Sequence, residues 1–193
     1  MIVLIILLAS IIVALLRGGR LMNLASLNLR WRGVIIAGFL LQVLIFSSFW
    51  ESRNDLAGLT PLAYIVSMLL LLAALAANYR LPGMWLIAAG FFLNFAAIVL
   101  NGGHMPASPA AMQIAGMPVL QPGQISSNSI GMGANTIAFF ICDIFAIPQG
   151  FIFPNVFSVG DILIAAGAVY LAQKALVDSP SPHRSAEAAP LDQ

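Results

Sequence analysis

Charged side chains are scarce in this chain. Of its 193 residues, only 8 are Lys or Arg and 7 are Asp or Glu, which leaves a net charge of +1. Hydrophobic residues make up 61% of the chain, and the mean hydropathy is +0.98. Soluble domains are about 45–50% apolar and about 25% charged. The composition therefore predicts an integral membrane protein whose first partner is the lipid bilayer.

Cysteine and histidine are scarce as well, and this narrows the possible chemistry. One Cys cannot form an internal disulfide framework, and together with two His it cannot supply a four-ligand Cys/His metal site. We therefore expect no metal and no cofactor. The small net charge argues against a nucleic-acid partner, since such surfaces need clustered basic side chains. Composition leaves the oligomeric state open.

Long apolar runs predict an all-α polytopic membrane protein with five transmembrane helices, because a helical crossing needs about 20 mostly apolar residues. The predicted spans are Met1 to Leu16, Gly33 to Trp50, Leu62 to Ala77, Met84 to Leu100 and Val156 to Leu171. They form a single integral-membrane domain over residues 1–178. The Pro-rich segment 179–193 is predicted to be a disordered tail.

The region between the fourth and fifth spans is less regular. Residues 101–136 contain no Asp, Glu, Lys or Arg but six Gly and four Pro, a composition that predicts an outer loop covering the helices. The apolar run Ile137 to Ile147 follows it. Segments of about 10–14 apolar residues are more often re-entrant or interfacial than spanning. We expect a half-helix here, and the alternative is a sixth span.

Basic residues predict the orientation. Half of them lie in the first connection, at Arg17, Arg20, Arg30 and Arg32. Short Arg-rich connections stay in the cytoplasm. With five spans, the N-terminus is then outside the cell and the C-terminus is cytoplasmic.

Two acids are the only charged residues between Leu81 and Gln173, namely Asp143 and Asp161. An ionisable group at membrane depth is costly, so it is a functional-site hypothesis by default. In the five-span topology both lie toward the outer side and can approach each other. Two adjacent carboxyl groups share a proton, so that one acts as a base and the other as an acid on an attacking water.

Structural roles compete with this interpretation. The segment Ser158-Val159-Gly160-Asp161 fits a helix capping box, in which the hydroxyl and the carboxylate accept bonds from amides at a helix start. Asp143 could be a polar residue at the end of the half-helix. Gln42 and Asn94 are predicted to make hydrogen bonds between helices. The open alternatives are a noncatalytic membrane subunit and a small proton- or ion-coupled carrier.

The segment from Phe157 to Gly167 resembles the last conserved box of lipoprotein signal peptidase, F-N-x-A-D-x-x-I-x-x-G. Cys142-Asp143-Ile144-Phe145 resembles the box that holds the other catalytic Asp of that family. The resemblance implies an aspartyl peptidase or hydrolase with Asp143 and Asp161 as its catalytic pair. Weaker similarities to other conserved boxes of that family, together with the last box, imply that Asn101, Asn135 and Ser158 orient a membrane-embedded protein or lipid substrate.

The whole chain resembles a second family, the uncharacterised bacterial membrane family called domain of unknown function 5317. The similarity includes N-G-G-x-M-P after the fourth span and the closing P-N-x-F-S-x-G-D box. This resemblance implies a multi-pass protein of the bacterial inner membrane and implies no activity. We therefore expect a membrane protein of unassigned function with a candidate outward-facing aspartate pair.

Overall fold

A computed structural model describes residues 2–25, 27–53 and 57–177. The predicted tail 179–193 lies outside the described residues. The helices are α1 (Ile2–Leu16), α2 (Met22–Ala25), α3 (Arg32–Ile45), α4 (Ser48–Glu51), α5 (Thr60–Ala77), α6 (Met84–Leu100), α7 (Pro109–Ile114) and α8 (Val159–Val177), with 3-10 helices at Ala57–Leu59 and Phe139–Ile141. The strands are β1 (Met105–Ala107), β2 (Ile125–Ser126), β3 (Ser129–Gly131), β4 (Phe145–Ile147) and β5 (Asn155–Phe157).

Five apolar helices pack side by side. The antiparallel pair α3 and α5 is joined by a hydrogen bond from Gln42 Nε2 to Ser67 Oγ of 3.1 Å. The tight turn before Gly83 reverses the chain between α5 and α6. Helix α1 runs beside α8, where Gln173 Nε2 donates to the backbone carbonyl of Ser10 at 2.7 Å. Helix α8 packs antiparallel against α6, with Gly160 next to Gly90 and Gly167 next to Gly83. The start of α8 therefore lies at the same end of the bundle as the end of α6.

Glycines allow α6 and α8 to approach closely. A Cβ atom at Gly160 would lie 2.6 Å from the carbonyl oxygen of Gly90 and would collide with the side chain of Asn94. About two helical turns further along, a Cβ at Gly167 would lie 2.7 Å from the carbonyl oxygen of Gly83. Small residues of this kind let helix backbones pack at short distance. The approach places polar groups of α6 directly against the first turn of α8.

A small β-rich cap covers this end of the bundle. β3 pairs with β1 in parallel and with β2 in antiparallel fashion, while β4 and β5 form a separate antiparallel hairpin. The other edge of β1 is occupied by the backbone of Asp143, which forms a parallel bridge with Ala107. The cap therefore connects the segment after α6 with the segment that leads into α8.

The predicted all-α fold with five spans is wrong. Among the described residues, two helices are long and apolar enough to cross a membrane by length and composition, Thr60–Ala77 and Val159–Val177. The other three apolar helices are shorter, and the cap contains two sheets. The predicted outer loop 101–136 holds three of the strands and α7. Its short apolar stretches between Gly and Pro residues form strands because their polar backbone groups find partners in neighbouring stretches.

The predicted half-helix from Ile137 to Ile147, and its alternative as a sixth span, are also wrong. Ala138 has a left-handed backbone with φ of 52°, which interrupts a right-handed helix. One 3-10 turn follows, and the run ends in β4, whose residue Phe145 is opposite Phe157 of β5. Periodicity alone cannot distinguish a short apolar helix from a strand. Pairing with β5 is a tertiary contact that decides between them.

Basic residues collect at the end of the bundle opposite the cap. The side chain of Arg17 donates to Gln173 Oε1 at 2.9 Å, near the end of α8. The backbone of Arg30 bonds in both directions with the side chain of Asn78, in the turn between α5 and α6. The Arg-rich connection therefore packs against the last turn of α8, far along the helices from Asp161.

Replacing Gly160 tests the close approach of α6 and α8. We expect Gly160→Ala to lower the apparent Tm by several degrees, since overpacking costs about 1–3 kcal/mol and about 1 kcal/mol corresponds to about 2–4 °C in a chain of this size. Gly33→Ala is the matched control, because a Cβ atom there meets nothing within 4 Å. Thermal unfolding of the purified proteins in one detergent is the measurement. Equal Tm values for the two variants would contradict the packing argument.

Candidate aspartate site

Asp161 lies in the first turn of α8, where Ser158 caps the helix. The hydroxyl oxygen of Ser158 accepts from the Asp161 N–H at 3.0 Å, and Asp161 Oδ2 accepts from the Ser158 N–H at 3.0 Å. This is the reciprocal capping box that the sequence pattern predicts. Ser158 is fully buried. The box fixes the backbone and the side chain of Asp161 relative to the helix axis.

Asn94 of α6 connects this box to the neighbouring helix. Its Nδ2 donates to Asp161 Oδ1 at 3.0 Å, and its Oδ1 accepts from the Ser158 hydroxyl at 2.7 Å. Both side-chain oxygens of Asp161 thus accept a hydrogen bond from an N–H donor. The prediction that Asn94 and Gln42 bond between helices is confirmed.

Asp143 reaches the same region from the cap. Its N–H donates to the carbonyl oxygen of Pro106 at 3.0 Å, and its own carbonyl oxygen accepts from the Ser108 N–H at 2.9 Å. These two bonds attach Asp143 to the edge of β1 through its backbone atoms alone, so its carboxyl group takes no part in the attachment. Within the described part of the chain, no side chain donates a hydrogen bond to its carboxyl group.

The two carboxyl groups line one cavity of about 220 Å³. It lies between the bundle and the cap. Its other polar residues are Gln42, Tyr64, Asn94 and Asn128, and its apolar residues are Met68, Phe91, Ile98, Met105 and Ile164. Lys and Arg are missing from this set, so the lining is acidic and neutral. Asp143 and Asp161, the two acids identified from the sequence, therefore line one small site.

The two acids have unlike surroundings. Burial raises the pKa of Asp143 to about 7, and the negative charge of Asp161 raises it as well. Asp143 is thus partly protonated near neutral pH, while both side-chain oxygens of Asp161 accept an N–H donor. Unlike surroundings of this kind are how two neighbouring carboxyl groups come to have different roles.

Cys142 takes no part in this chemistry. Its side chain is fully buried, and its Sγ lies 3.5 Å from the carbonyl oxygen of Ala138. Burial, with a further contribution from Asp143, raises the pKa of the thiol to about 11. A thiolate is required for nucleophilic attack. Cys142 is therefore a small buried residue next to the site. In the described ranges, no group of three His, Cys, Asp or Glu side chains is arranged to hold a metal ion.

Asn101 and Asn135 lie together at a different pocket. Asn101 caps the end of α6, since its Nδ2 donates to the carbonyl of Ala97 at 2.7 Å and its side chain bonds with the backbone of Ile137 in both directions. This pocket of about 350 Å³ is also lined by the exposed Asn135. Three residues were predicted to orient a substrate. Of these, Ser158 alone bonds one of the two acids, Asp161.

Tyr64 and Asn128 had no signal in the sequence that marked them as site residues. Tyr64 is buried in α5, and Asn128 lies in the turn between β2 and β3. The side chain of Asn128 hydrogen-bonds the Tyr64 hydroxyl. Tyr64 of α5 and Asn128 are 64 positions apart in the chain. Their contact depends on how the cap folds over the bundle. No local pattern contains that information.

Family membership follows from the comparison of the whole chain with known families. Residues 26–173, well over half of the chain, match the family of unknown function DUF5317. The chain belongs to this family. The match includes Asp143, Asp161, Asn94 and Ser158, so the candidate site lies inside the family's own region. No curated protein and no solved structure matches the chain. The predicted membership of this family of unknown function is confirmed, whereas its bacterial membrane character and the similarity to lipoprotein signal peptidase stay predictions.

The raised pKa of Asp143 predicts a specific dependence of stability on pH. The folded protein holds the Asp143 proton up to about pH 7, whereas the unfolded chain releases it near the ordinary value of 3.8. Stability from this group is therefore greatest below about pH 4 and falls as the pH rises toward 7. In the Asp143→Asn variant this contribution is absent.

We expect the difference in Tm between Asp143→Asn and the wild-type protein to grow in favour of the variant between pH 5 and pH 8. The wild-type protein loses roughly 2–3 kcal/mol from this group over that range, since one pKa unit corresponds to about 1.36 kcal/mol. At about 2–4 °C per kcal/mol in a chain of this size, the change in the Tm difference should be about 5–10 °C. Thermal unfolding of both proteins across this pH range in one detergent measures it. Curves of Tm against pH that run parallel for the two proteins would contradict the raised pKa of Asp143.

Proposed function

We propose that this protein is a membrane-embedded aspartyl hydrolase. Asp143 and Asp161 are its catalytic pair, and the substrate bond that they cleave is a neutral acyl bond of the peptide type. One observation carries the proposal: the two carboxyl groups line the same 220 Å³ cavity in unlike surroundings, since burial raises the pKa of Asp143 to about 7 and the Asp161 side chain accepts hydrogen bonds from Asn94 and from the Ser158 N–H. General acid and general base catalysis need such a pair near a common centre.

In this mechanism Asp161 is the base and Asp143 is the acid. The Asp161 carboxylate accepts a proton from a water molecule while the water oxygen bonds to the substrate carbonyl carbon. Asp143 gives its proton to the carbonyl oxygen, so the intermediate is a neutral tetrahedral diol. One diol hydroxyl then returns its proton to Asp143 as the carbon–nitrogen bond breaks, and the nitrogen takes the proton from Asp161. The products are a carboxylic acid and an amine, and both aspartates return to their initial states.

The cavity lining supports a neutral substrate group. Among the described residues that line the cavity there is no Lys or Arg, while Asp143 and Asp161 are both acids, so a neutral group fits this lining better than an anionic phosphate or carboxylate. The amide groups of Asn128 and Gln42 offer both donors and acceptors to a peptide-like bond. At about 220 Å³ the cavity is smaller than the roughly 300–1,000 Å³ of pockets that enclose a drug-sized ligand. The cavity is large enough for the bond that is cut and its neighbouring atoms, and the rest of the substrate would lie outside the cavity.

The membrane setting is the second part of the proposal. Helices α5 and α8 have the length and composition of spans, and large apolar side chains are exposed along the bundle, among them Leu62, Leu69 and Ile162. Exposed apolar patches of this extent are typical of membrane or protein contacts. We infer a location in the bacterial inner membrane. The Arg-rich end then faces the cytoplasm, and the cap and the cavity face outward.

Two other functions have specific support. A noncatalytic membrane subunit is favoured by the complete capping box at Asp161, since this residue then has a sufficient structural role. A small proton-coupled carrier is favoured by the pKa of about 7 at Asp143, which allows protonation and release in the physiological range. The hydrolase is preferred because neither alternative explains why two acids meet in one polar cavity.

The test is the separate replacement of each acid in a processing assay. Prolipoprotein is the first substrate to try, in cells depleted of their own lipoprotein signal peptidase. We expect Asp143→Asn and Asp161→Asn each to lower the processing rate by about 10²-fold or more, the usual contribution of a general acid or base. The Asn side chains retain shape and lose the exchangeable carboxyl proton, so expression should be unchanged.

Gln113→Glu is the control for a unit change in charge, because Gln113 is exposed on α7 and does not line the cavity. Binding of a peptide in which a hydroxyl-bearing carbon replaces the scissile carbonyl is a second readout. Normal processing and normal peptide binding by both Asp variants would refute the hydrolase. Loss of thermal stability alone, without a change in either readout, would favour the noncatalytic subunit.

A further inference from the structure

The tip of the β4–β5 hairpin exposes three consecutive large apolar side chains. Phe151, Ile152 and Phe153 are 66%, 88% and 44% exposed, and no other large apolar side chain in the described ranges is as exposed as Ile152. Exposed apolar side chains that occur singly need no explanation, but a contiguous group at a loop tip indicates a contact surface. We call these three residues the hairpin tip.

The base of the hairpin lies level with the start of an apolar helix. Phe157 of β5 stacks on Phe145 of β4 with ring centroids 5.5 Å apart, and Phe157 also lines a groove with Ile6 of α1. Helix α1 begins at Ile2, four residues before Ile6, which is about 6 Å along the helix axis. The apolar surface of α1 therefore extends beside the base of the hairpin.

Charge identifies what can cover the hairpin tip. From Leu81 to Gln173 the chain has two charged residues, Asp143 and Asp161, and both line the cavity. The hairpin itself has none, so it offers a charged partner nothing to pair with. An uncharged surface rich in Phe and Ile fits the boundary between lipid headgroups and acyl chains, where such side chains insert by about 5–10 Å.

We propose that the hairpin tip inserts into the bilayer leaflet at the cavity end of the bundle and holds the cap against the membrane surface. This inference rests on the proposed membrane location. Insertion of the tip would keep the cap, which carries Asp143 on the edge of β1, in a constant position over Asp161 of α8. The interaction requires neutral lipid only, because the tip contains no basic residue.

The experiment uses the full chain with a single cysteine. Cys142→Ala removes the buried thiol, and Ile152→Cys is labelled with the environment-sensitive fluorophore NBD. The protein is reconstituted in phosphatidylcholine vesicles with or without phosphatidylcholine that carries a nitroxide near the top of its acyl chain. We expect at least about a two-fold loss of NBD fluorescence with the nitroxide lipid and little quenching by aqueous iodide.

Two labelled controls separate the possible failures. Leu69→Cys, in the middle of α5, reports embedding of the bundle, and Asn135→Cys, exposed on the cap, reports contact with water. Lipid quenching at Leu69 and iodide quenching at Ile152 would overturn the tip proposal alone. Absence of lipid quenching at Leu69 would overturn the membrane location and the tip proposal with it. Protection of Ile152 from both quenchers would indicate a protein partner and would also overturn the proposal.

Discussion

The close approach of α6 and α8 is the constraint on which the candidate site depends. At Gly90 and Gly160 the two backbones leave no room for a Cβ atom. This proximity lets Asn94 reach across and bond both Ser158 and Asp161. A larger separation would leave the Asp161 carboxylate with the capping amide as its one donor. The glycines therefore determine both the packing of the bundle and the electrostatic surroundings of one acid.

The second acid is positioned by different physics. Asp143 is attached by its backbone to the edge of β1, so strand pairing in the cap decides where its side chain enters the cavity. Its carboxyl group gains no compensating donor from the described residues, and burial raises its pKa to about 7. Groups with strongly shifted pKa values are often found at functional sites. The contrast between an acid held by two N–H donors and an acid with a raised pKa is the basis of the proposed chemistry.

Local patterns predicted the parts of the site that depend on neighbours in sequence. The capping box from Ser158 to Asp161 was visible because its partners are three residues apart. The scarcity of charge drew attention to Asp143 and Asp161, and both line one cavity. The half-helix from Ile137 to Ile147 was wrong for the same reason: an 11-residue apolar run satisfies the local criteria for helix and strand equally. Its partner β5 begins eight residues after the run ends, and a pairing over that separation leaves no mark within the run itself.

The positions of the apolar helices, their basic end and the two acids in apolar surroundings can be read from the amino-acid sequence. These properties follow from composition and short spacing, which act within a few turns of the chain. The β-rich cap of residues 101–157, the separate pocket of Asn101 and Asn135, and the place of Tyr64 and Asn128 beside the acids depend on tertiary contacts. Strand pairing and helix packing unite distant segments, and their free energies depend on contacts that no local pattern encodes.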